Sequence, residues 1–219
     1  RFAAQLGFEL EDETREGMRL LAPTLRKISA ERIQVELVKT LTSSRPDLLR
    51  EAWKLGITKE FLPEFDLAME TTQETVHHMY TVGEHILHTL LEVRPDRILR
   101  LTMLLHDIGK PYMKTMDADG VAHFKGHPEK SSELANEILH RLKFDNDTIR
   151  KVTKLVRYHD HRMPVTPAHV RRAVHEIGED LFPLYLEVRR ADVAAQSMYQ
   201  HKEKVADIDG VEKLYHEIM

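Results

Sequence analysis

The stretch Leu104-Leu105-His106-Asp107-Ile108-Gly109-Lys110 decides how this sequence is interpreted. Two adjacent ionisable residues, His106 and Asp107, follow an apolar run at the predicted end of a helix. An unpaired carboxylate is costly to bury, so such a pair needs a partner, and a divalent cation can satisfy both groups at once. Because a His-Asp dipeptide is common, a metal site is predicted only if other residues supply further ligands.

Apolar residues recur at helical spacing on both sides of this stretch. The predicted helices cover residues 12–21, 29–41, 48–56, 82–93, 98–105, 128–142, 147–158, 167–177 and 181–198. Gly109 and Pro111 are expected to stop the helix at 98–105. A strand signal lies at residues 112–124, where Asp119-Gly120 predicts a hairpin turn. The sequence therefore predicts an all-α fold with one short β-hairpin near 112–124, in two helical parts that meet near residue 70.

Composition limits the chemistry that this chain can perform. The 219 residues include 14 His and no Cys, with a net charge of −4. Without Cys there are no disulfides, thiolate ligands or cysteine nucleophiles, so a metal site must use His, Asp and Glu. The charge is spread evenly, with −2 in residues 1–70 and −2 in residues 71–219, so a strong electrostatic footprint for nucleic acid is absent. No apolar stretch is long enough to span a membrane, and we expect a cytoplasmic protein without a membrane partner.

Two positions can complete a ligand set with His106 and Asp107. His85 lies beside the apolar stripe of the preceding helix and can face the same interior. Asp192 falls inside the buried stripe of the last predicted helix, where an acid is rarely buried without a partner. The alternative for Asp192 is an ion pair with Arg189, Arg190 or another neighbour. Two imidazoles and two carboxylates suit an open five- or six-coordinate site for Mn, Fe, Co, Ni or Mg.

A second metal is predicted if His127 and His159 join the same cluster, with Asp107 as the bridging ligand. His127 stands at a helix start and His159 at the end of an apolar helix, and either alone would more often be a capping or surface residue. Two metals about 3.5–4 Å apart can activate a bridging water and hold the oxygens of a displacement at phosphorus. Lys110 follows closely and can neutralise a phosphate, although a solvated lysine is an equally good interpretation.

Longer segments now resemble a known family. Residues 1–8, Ile28-Ser29-Ala30-Glu31-Arg32-Ile33 and Glu36-Leu37 are similar to the neck of bacterial class II CCA-adding enzymes, the tRNA nucleotidyltransferases and related poly(A) polymerases. Four segments resemble the HD domain, a metal-dependent phosphohydrolase domain, that follows this neck: residues 78–85, His106-Asp107-Ile108-Gly109-Lys110-Pro111, residues 120–127 and Leu155-Val156-Arg157-Tyr158-His159-Asp160. The similarity covers nearly the whole chain in order.

The resemblance implies a helical, RNA-binding-like neck at 1–70 and an HD helical bundle at 71–219. The implied metal ligands are His85, His106, Asp107 and Asp192, with His127 and His159 for a second divalent ion; Asp107 and Lys110 are the implied catalytic residues. His78 or His88 could replace His85, and His161 competes with His159. The other seven histidines are expected to be surface or packing residues.

The nucleotide-adding head of that family is expected to be missing from this chain. Asp117-Ala118-Asp119 spells the family's Asp-x-Asp metal motif but lies in the predicted hairpin turn, without the Gly-Ser that precedes it in the family. Residues 11–15 spell a nucleotide-selecting motif but follow the Arg-Phe-Ala-Ala segment instead of preceding it. We therefore expect a C-terminal piece of such a protein that does not add nucleotides by itself.

Two functions remain open at this point. The first is a metal-dependent phosphohydrolase that acts on a phosphomonoester or 2′,3′-cyclic phosphodiester of a nucleotide or RNA 3′ end. The second is a non-catalytic body with an inactive HD fold that binds tRNA and forms a homodimer. For the full-length protein the resemblance implies tRNA 3′-end maturation, with tRNA as its partner.

Overall fold

The computed structural model describes residues 1–77 and 79–219. Its first part consists of short α-helices joined by 3₁₀ segments at Ala22–Lys27, Pro46–Leu48 and Thr58–Glu60. These helices are α1 (Phe2–Leu6), α2 (Asp12–Leu21), α3 (Ala30–Leu41), α4 (Leu49–Lys54) and α5 (Pro63–Glu70).

The remaining residues form mostly longer helices and one hairpin. The helices are α6 (Val82–Glu92), α7 (Arg97–Leu105), α8 (Lys110–Met113), α9 (His127–Arg141), α10 (Asn146–Tyr158), α11 (Pro167–Ile177), α12 (Phe182–Ala194) and α13 (His201–Ile218), and the strands are β1 (Thr115–Met116) and β2 (Ala122–His123). The predicted all-α class with one small hairpin is confirmed. In the described part of the chain, no helix is both long and apolar enough to cross a bilayer.

Side-chain caps start several of these helices where the sequence changes from turn to helix. The Thr81 hydroxyl accepts from the Glu84 backbone at the start of α6, and Asp96 does the same for Ile98 and Leu99 at the start of α7. Such caps satisfy backbone N–H groups that have no partner inside the helix. They fix where α6 and α7 begin, and so which residues occupy the ends that form the site.

The hairpin is shorter than the sequence indicates. Thr115 pairs with His123 and Met116 with Ala122 in an antiparallel register. The prediction that the extended structure starts at residue 112 is wrong, because Tyr112 lies in the short helix α8. Pro111 does not stop the preceding helix but occupies the first turn of α8, where its missing N–H costs nothing.

The buried core is continuous across residue 70. Leu37 and Phe65 from the first part pack in the same cluster as Ile86 and Leu101 of α6 and α7. A second cluster joins α11, α12 and α13 around Phe182. Every residue of α7 from Leu99 to Leu105 is buried, so the turn that follows α7 lies in the interior of the molecule.

Helix α13 has no counterpart among the predicted helices, and α12 ends at Ala194, short of the predicted residue 198. The helical pattern of α13 is weak because charged residues occupy many positions and Gly210 lies near its middle. A Cβ atom at Gly210 would lie 2.7 Å from Cγ1 of Val165, so the glycine permits close packing there. Tertiary contact therefore supports a helix that its own sequence indicates poorly.

Candidate metal centre

Four histidines at the ends of different helices turn their rings toward one point. His85 lies in the first turn of α6, His106 follows α7, His127 is the first residue of α9, and His159 follows α10. Helix ends converge here because α6, α7, α9, α10 and α12 pack around the same core. Asp107, in the turn after α7, lies among these rings.

Backbone carbonyls fix the orientation of these imidazoles. The Nδ1 atoms of His106, His127 and His159 lie 2.7–2.8 Å from carbonyl oxygens three residues earlier in the chain, and His85 Nδ1 makes a longer contact of 3.4 Å with the Ala195 carbonyl. A carbonyl can only accept, so Nδ1 of His106, His127 and His159 carries the proton, whereas His85 has its shorter contact at Nε2, which lies 3.0 Å from the Asp192 carboxylate oxygen Oδ1. In the neutral ring, Nε2 then has a lone pair, which is the form that binds a metal.

The Nε2 atoms meet in two pairs. His85 Nε2 lies 3.3 Å from His106 Nε2, and His127 Nε2 lies 3.2 Å from His159 Nε2. Two nitrogens that both carry lone pairs repel one another at this distance unless a proton or a cation lies near both. A shared proton or a bound cation would relieve this repulsion in each pair.

Asp107 connects the two pairs through its two carboxylate oxygens. Its Oδ2 lies 3.5 Å from His85 Nε2 and 3.3 Å from His106 Nε2. Its Oδ1 lies 3.3 Å from His127 Nε2 and 3.4 Å from His159 Nε2. The side chain is 1% exposed; Oδ2 is ion-paired with the Lys110 ammonium at 2.7 Å, and Oδ1 has no hydrogen-bond partner among the described residues.

A second carboxylate, Asp192 in the last turn of α12, closes one side of the centre. Its Oδ1 lies 3.0 Å from His85 Nε2 and 3.8 Å from His106 Nε2. Its Oδ2 accepts a hydrogen bond of 3.0 Å from the Gln196 amide. The sequence alternative, an ion pair with Arg189 or Arg190, does not form: Arg189 donates to the His159 carbonyl and Arg190 pairs with Asp209.

Lys110 is buried beside Asp107 and is not a solvated side chain. It is 5% exposed, its ammonium nitrogen lies 2.7 Å from Asp107 Oδ2, and it donates a hydrogen bond of 2.9 Å to Gln73 Oε1. The ammonium also lies 5.5 Å from the centre of the Phe124 ring. Lys110 thus places a positive charge at the carboxylate that the histidine pairs share.

Both carboxyl groups of the centre are held in their ionised form. Burial opposes ionisation of Asp107, but the Lys110 ammonium and the His106 imidazole outweigh it and keep the pKa of Asp107 well below its usual range. Burial likewise opposes ionisation of Asp192, and its contact with the His85 imidazole keeps that pKa well below the usual range. Ionised carboxylates are the state that coordinates a divalent cation.

The arrangement fits one or two divalent cations. Two groups each bring three ligand atoms within 4.8 Å of one another: His85, His106 and Asp107, and Asp107, His127 and His159. The close approach of the Nε2 atoms in each pair and the buried charge of Asp107 both become favourable when a cation lies between these groups. Three or four protein ligands at each position leave coordination sites open on a five- or six-coordinate cation, as in reactive rather than purely structural metal sites.

A cleft of about 490 Å³ opens over this centre. Asp107, Lys110, His127, His159 and Asp192 form its floor. Its walls carry the cations Lys125 and Arg162 together with the acids Glu129 and Asp160. A small molecule or a chain end can therefore reach the cluster from solvent.

Two of the three alternative histidines, His88 and His161, make contacts outside the cluster. His88 stacks on the Tyr80 ring, with 4.2 Å between centroids, and contributes nothing to the centre. His161 is exposed, and its carbonyl accepts from the Tyr185 hydroxyl at 2.7 Å. His78, the third alternative, lies outside the described residues. The cluster thus contains His85 and His159, while their role as ligands stays a prediction.

Several residues near the centre escape sequence reasoning. His77 and His123, both expected at the surface or in packing, line the cleft. Gln73 holds Lys110, and Gln196 holds Asp192. Gln196 could have been found, since it follows Asp192 by four residues within the predicted helix 181–198, whereas Gln73 lies in a loop that gives no local signal.

Comparison with protein families agrees with this architecture. The model of the HD domain family matches residues 75–194, and the family described as "Probable RNA and SrmB- binding site of polymerase A" matches residues 7–69. The chain belongs to the HD domain family, whose fold is of the metal-dependent hydrolase type.

Similar proteins carry nucleotidyltransferase names. The chain is 36% identical over 207 residues to the A-adding tRNA nucleotidyltransferase of Deinococcus radiodurans, covering 87% of this chain and 47% of that protein. It is 35% identical over 204 residues to the CC-adding tRNA nucleotidyltransferase of Thermus thermophilus, covering 88% of this chain and 46% of that protein. A bifunctional uridylyltransferase/uridylyl-removing enzyme of Streptomyces coelicolor is 27% identical over 216 residues, covering 88% of this chain and 24% of that protein. The chain thus spans slightly less than half of the first two relatives.

Proposed function

We propose that the His/Asp cluster is a divalent-metal centre that hydrolyses a phosphomonoester or a 2′,3′-cyclic phosphodiester at a nucleotide or RNA 3′ end. The observation that carries this proposal is the buried Asp107, whose two oxygens each face a pair of imidazole nitrogens at 3.3–3.5 Å. The open cleft above it supports access by a substrate.

The residues divide into two sets of ligands. His85, His106, Asp107 and Asp192 would hold one cation, and Asp107, His127 and His159 the other. A divalent cation supplies Lewis-acid polarisation of a phosphoryl oxygen and lowers the pKa of a water. Mn, Ni, Co, Fe and Mg are all compatible with imidazole and carboxylate ligands.

Lys110 is the proposed catalytic partner of Asp107. Its ammonium stands on the floor of the cleft, where the Gln73 carbonyl oxygen holds it and an incoming phosphate oxygen can approach it. A fixed cation stabilises the charge that develops on phosphoryl oxygens during displacement. The Streptomyces relative, which carries uridylyl removal in its name, supports hydrolysis of a phosphodiester as the reaction class.

Residues 1–70 are the proposed RNA-binding neck, and residues 71–219 the HD domain. The match of residues 7–69 to a described RNA-binding family supports the first assignment. The names of the Deinococcus and Thermus relatives make tRNA the proposed partner. The match of residues 7–69 also favours the second candidate function, a tRNA-binding body in which the HD fold does not turn over substrate.

Hydrolysis assays on the 219-residue chain separate these two functions. We expect turnover of 2′,3′-cyclic nucleotides, nucleoside monophosphates or bis-p-nitrophenyl phosphate with Mn²⁺, Ni²⁺, Co²⁺ or Mg²⁺. Asp107→Asn keeps the shape of the side chain but removes the shared charge, and should lower the rate more than about 100-fold. Asp147→Asn, on the exposed face of α10, is the matched control and should leave the rate unchanged.

Two results would contradict the proposed hydrolase activity. One is no metal-dependent turnover of any of these substrates, which with retained tRNA binding would favour the non-catalytic body. The other is turnover that Asp107→Asn leaves intact, which would assign the activity to another site.

A further inference from the structure

The two oxygens of Asp192 have different neighbours. Oδ1 faces the imidazoles of His85 and His106, whereas Oδ2 accepts from Gln196 Nε2 at 3.0 Å. A carboxylate rotates about its last bond unless one oxygen is held. The Gln196 amide therefore fixes the rotation of the carboxylate about that bond, so that its other oxygen faces the centre.

Gln196 can hold Asp192 only when its amide faces the right way. A glutamine side chain presents a donor on one side and an acceptor on the other, and the two ends have nearly the same shape. If the amide flipped, its oxygen would face the Asp192 carboxylate and repel it. Something must therefore fix the orientation of this amide.

Lys204 fixes that orientation. Its ammonium donates a hydrogen bond of 2.8 Å to Gln196 Oε1 and lies 3.4 Å from His77 Nδ1. An ammonium has only donors, so it binds the oxygen end of the amide and excludes the NH₂ end. Lys204 is 9% exposed, and the two acceptors account for its burial.

Lys204 belongs to α13, beyond residues 75–194 that match the HD domain family. Helix α13 packs on α12, which carries Asp192. We propose that Lys204, acting through Gln196, is a positioning residue for Asp192, so that α13 completes the metal centre. This inference rests on the proposed function, since it takes Asp192 to be a metal ligand.

Charge and positioning predict opposite effects for Lys204. If the ammonium acted only as a nearby charge, its removal would tighten the binding of a cation, because like charges repel. If it orients Gln196, its removal frees the amide and weakens binding. Loss of an outer partner of this kind typically weakens metal affinity about 10- to 100-fold.

The test measures the Kd for Mn²⁺ by EPR titration of the 219-residue chain. Lys204→Met and Gln196→Leu should each raise the Kd of the most tightly bound Mn²⁺ by about 10-fold or more. The double variant should be no weaker than Gln196→Leu alone, because Lys204 acts through Gln196. Lys204→Arg, which keeps a donor, should restore most of the affinity. Lys202→Met, on the exposed side of the same helix, is the matched control.

Each outcome decides the proposal. Unchanged or tighter Mn²⁺ binding in Lys204→Met would overturn it, and so would losses that simply add in the double variant. Gln196 is only half-buried, so Gln196→Leu provides an independent test if Lys204→Met does not fold: unchanged affinity overturns the proposal. Absence of Mn²⁺ binding by the unsubstituted chain would instead overturn the metal centre itself, and this relay with it.

Discussion

The two halves of the His/Asp centre share Asp107 but differ in their other carboxylate and in their access to solvent. The inner half, His85 and His106 with Asp192, is the more enclosed one, since both rings are 0% exposed and the Asp192 side chain is 7% exposed. The outer half, His127 and His159, has no second carboxylate in its group, and His127 is 12% exposed to the cleft. An additional anionic ligand and exclusion of water favour tight binding, whereas an open position favours exchange with substrate. The difference indicates a retained inner ion and a more weakly bound outer ion near the substrate.

Substitution of one ligand in each half tests this difference most strongly. Asp192→Asn removes the second charge of the inner half and should weaken the tighter Mn²⁺ equivalent about 10- to 100-fold. His127→Asn removes one imidazole of the outer half and should weaken only the second equivalent. Isothermal titration calorimetry of each variant with Mn²⁺ measures the affinities of both equivalents. The comparison breaks if His127→Asn affects the tighter equivalent as strongly as Asp192→Asn does.

The contact between α9 and the turn after α7 sets the distance between the outer half and Asp107. A Cβ atom at Gly109 would lie 2.5 Å from the Ser131 backbone nitrogen, and Gly109 N–H donates to the Ser131 hydroxyl at 2.9 Å. Gly109→Ala should push α9 away and cost about 1–3 kcal/mol in the free energy of unfolding. The same change should weaken the second Mn²⁺ equivalent, because α9 carries His127.

Gly17→Ala is the matched control for that substitution. Gly17 lies in α2 with nothing within 4 Å of the added atom, and alanine should stabilise the helix by about 0.5–1 kcal/mol. Urea denaturation measures both variants. Equal stability changes in the two would show that the close approach at Gly109 does not matter.

The smallest expected effect concerns the segment after α10 that follows His159. The buried Tyr185 hydroxyl donates to the His161 carbonyl, and burial raises the pKa of Tyr185 to about 12 from a usual value of 10.0. Because the folded-state pKa is the higher one, this contribution to stability is complete below pH 10 and is lost as pH rises through about 12. Tyr185→Phe should cost about 1 kcal/mol at neutral pH and reduce the alkaline loss of stability.

Thermal unfolding between pH 7 and pH 12 measures that change. Tyr199→Phe, at an exposed position, is the control and should follow the unsubstituted chain. If Tyr185→Phe loses stability as steeply as the unsubstituted chain above pH 10, the buried hydroxyl does not anchor this segment.

Much of the helical fold follows from local sequence, because caps and apolar periodicity mark the helices near the centre. The first and last residues of α6, α7, α10 and α11 agree with the predicted boundaries to within a residue or two. Helix α13 depends on tertiary packing against Val165 and in the cluster around Phe182, which no local pattern reveals.

The candidate site shows the same division. Motif spacing selects His106 and Asp107, and periodicity selects Asp192, because a carboxylate in a buried stripe is unusual. Sequence does not indicate that Lys110 is buried against Gln73, nor that Lys204 from α13 reaches Gln196. These contacts depend on how the helices pack, and local patterns carry no information about that packing.

Anomalous diffraction from crystals grown with Mn²⁺ tests the metal centre most directly. We predict a strong anomalous peak bounded by His85, His106, Asp107 and Asp192, and a weaker one between Asp107, His127 and His159. Asp107→Asn crystals grown in the same way should lose both peaks. No anomalous peak within this cluster at millimolar Mn²⁺, or a peak that Asp107→Asn leaves unchanged, would contradict the metal centre.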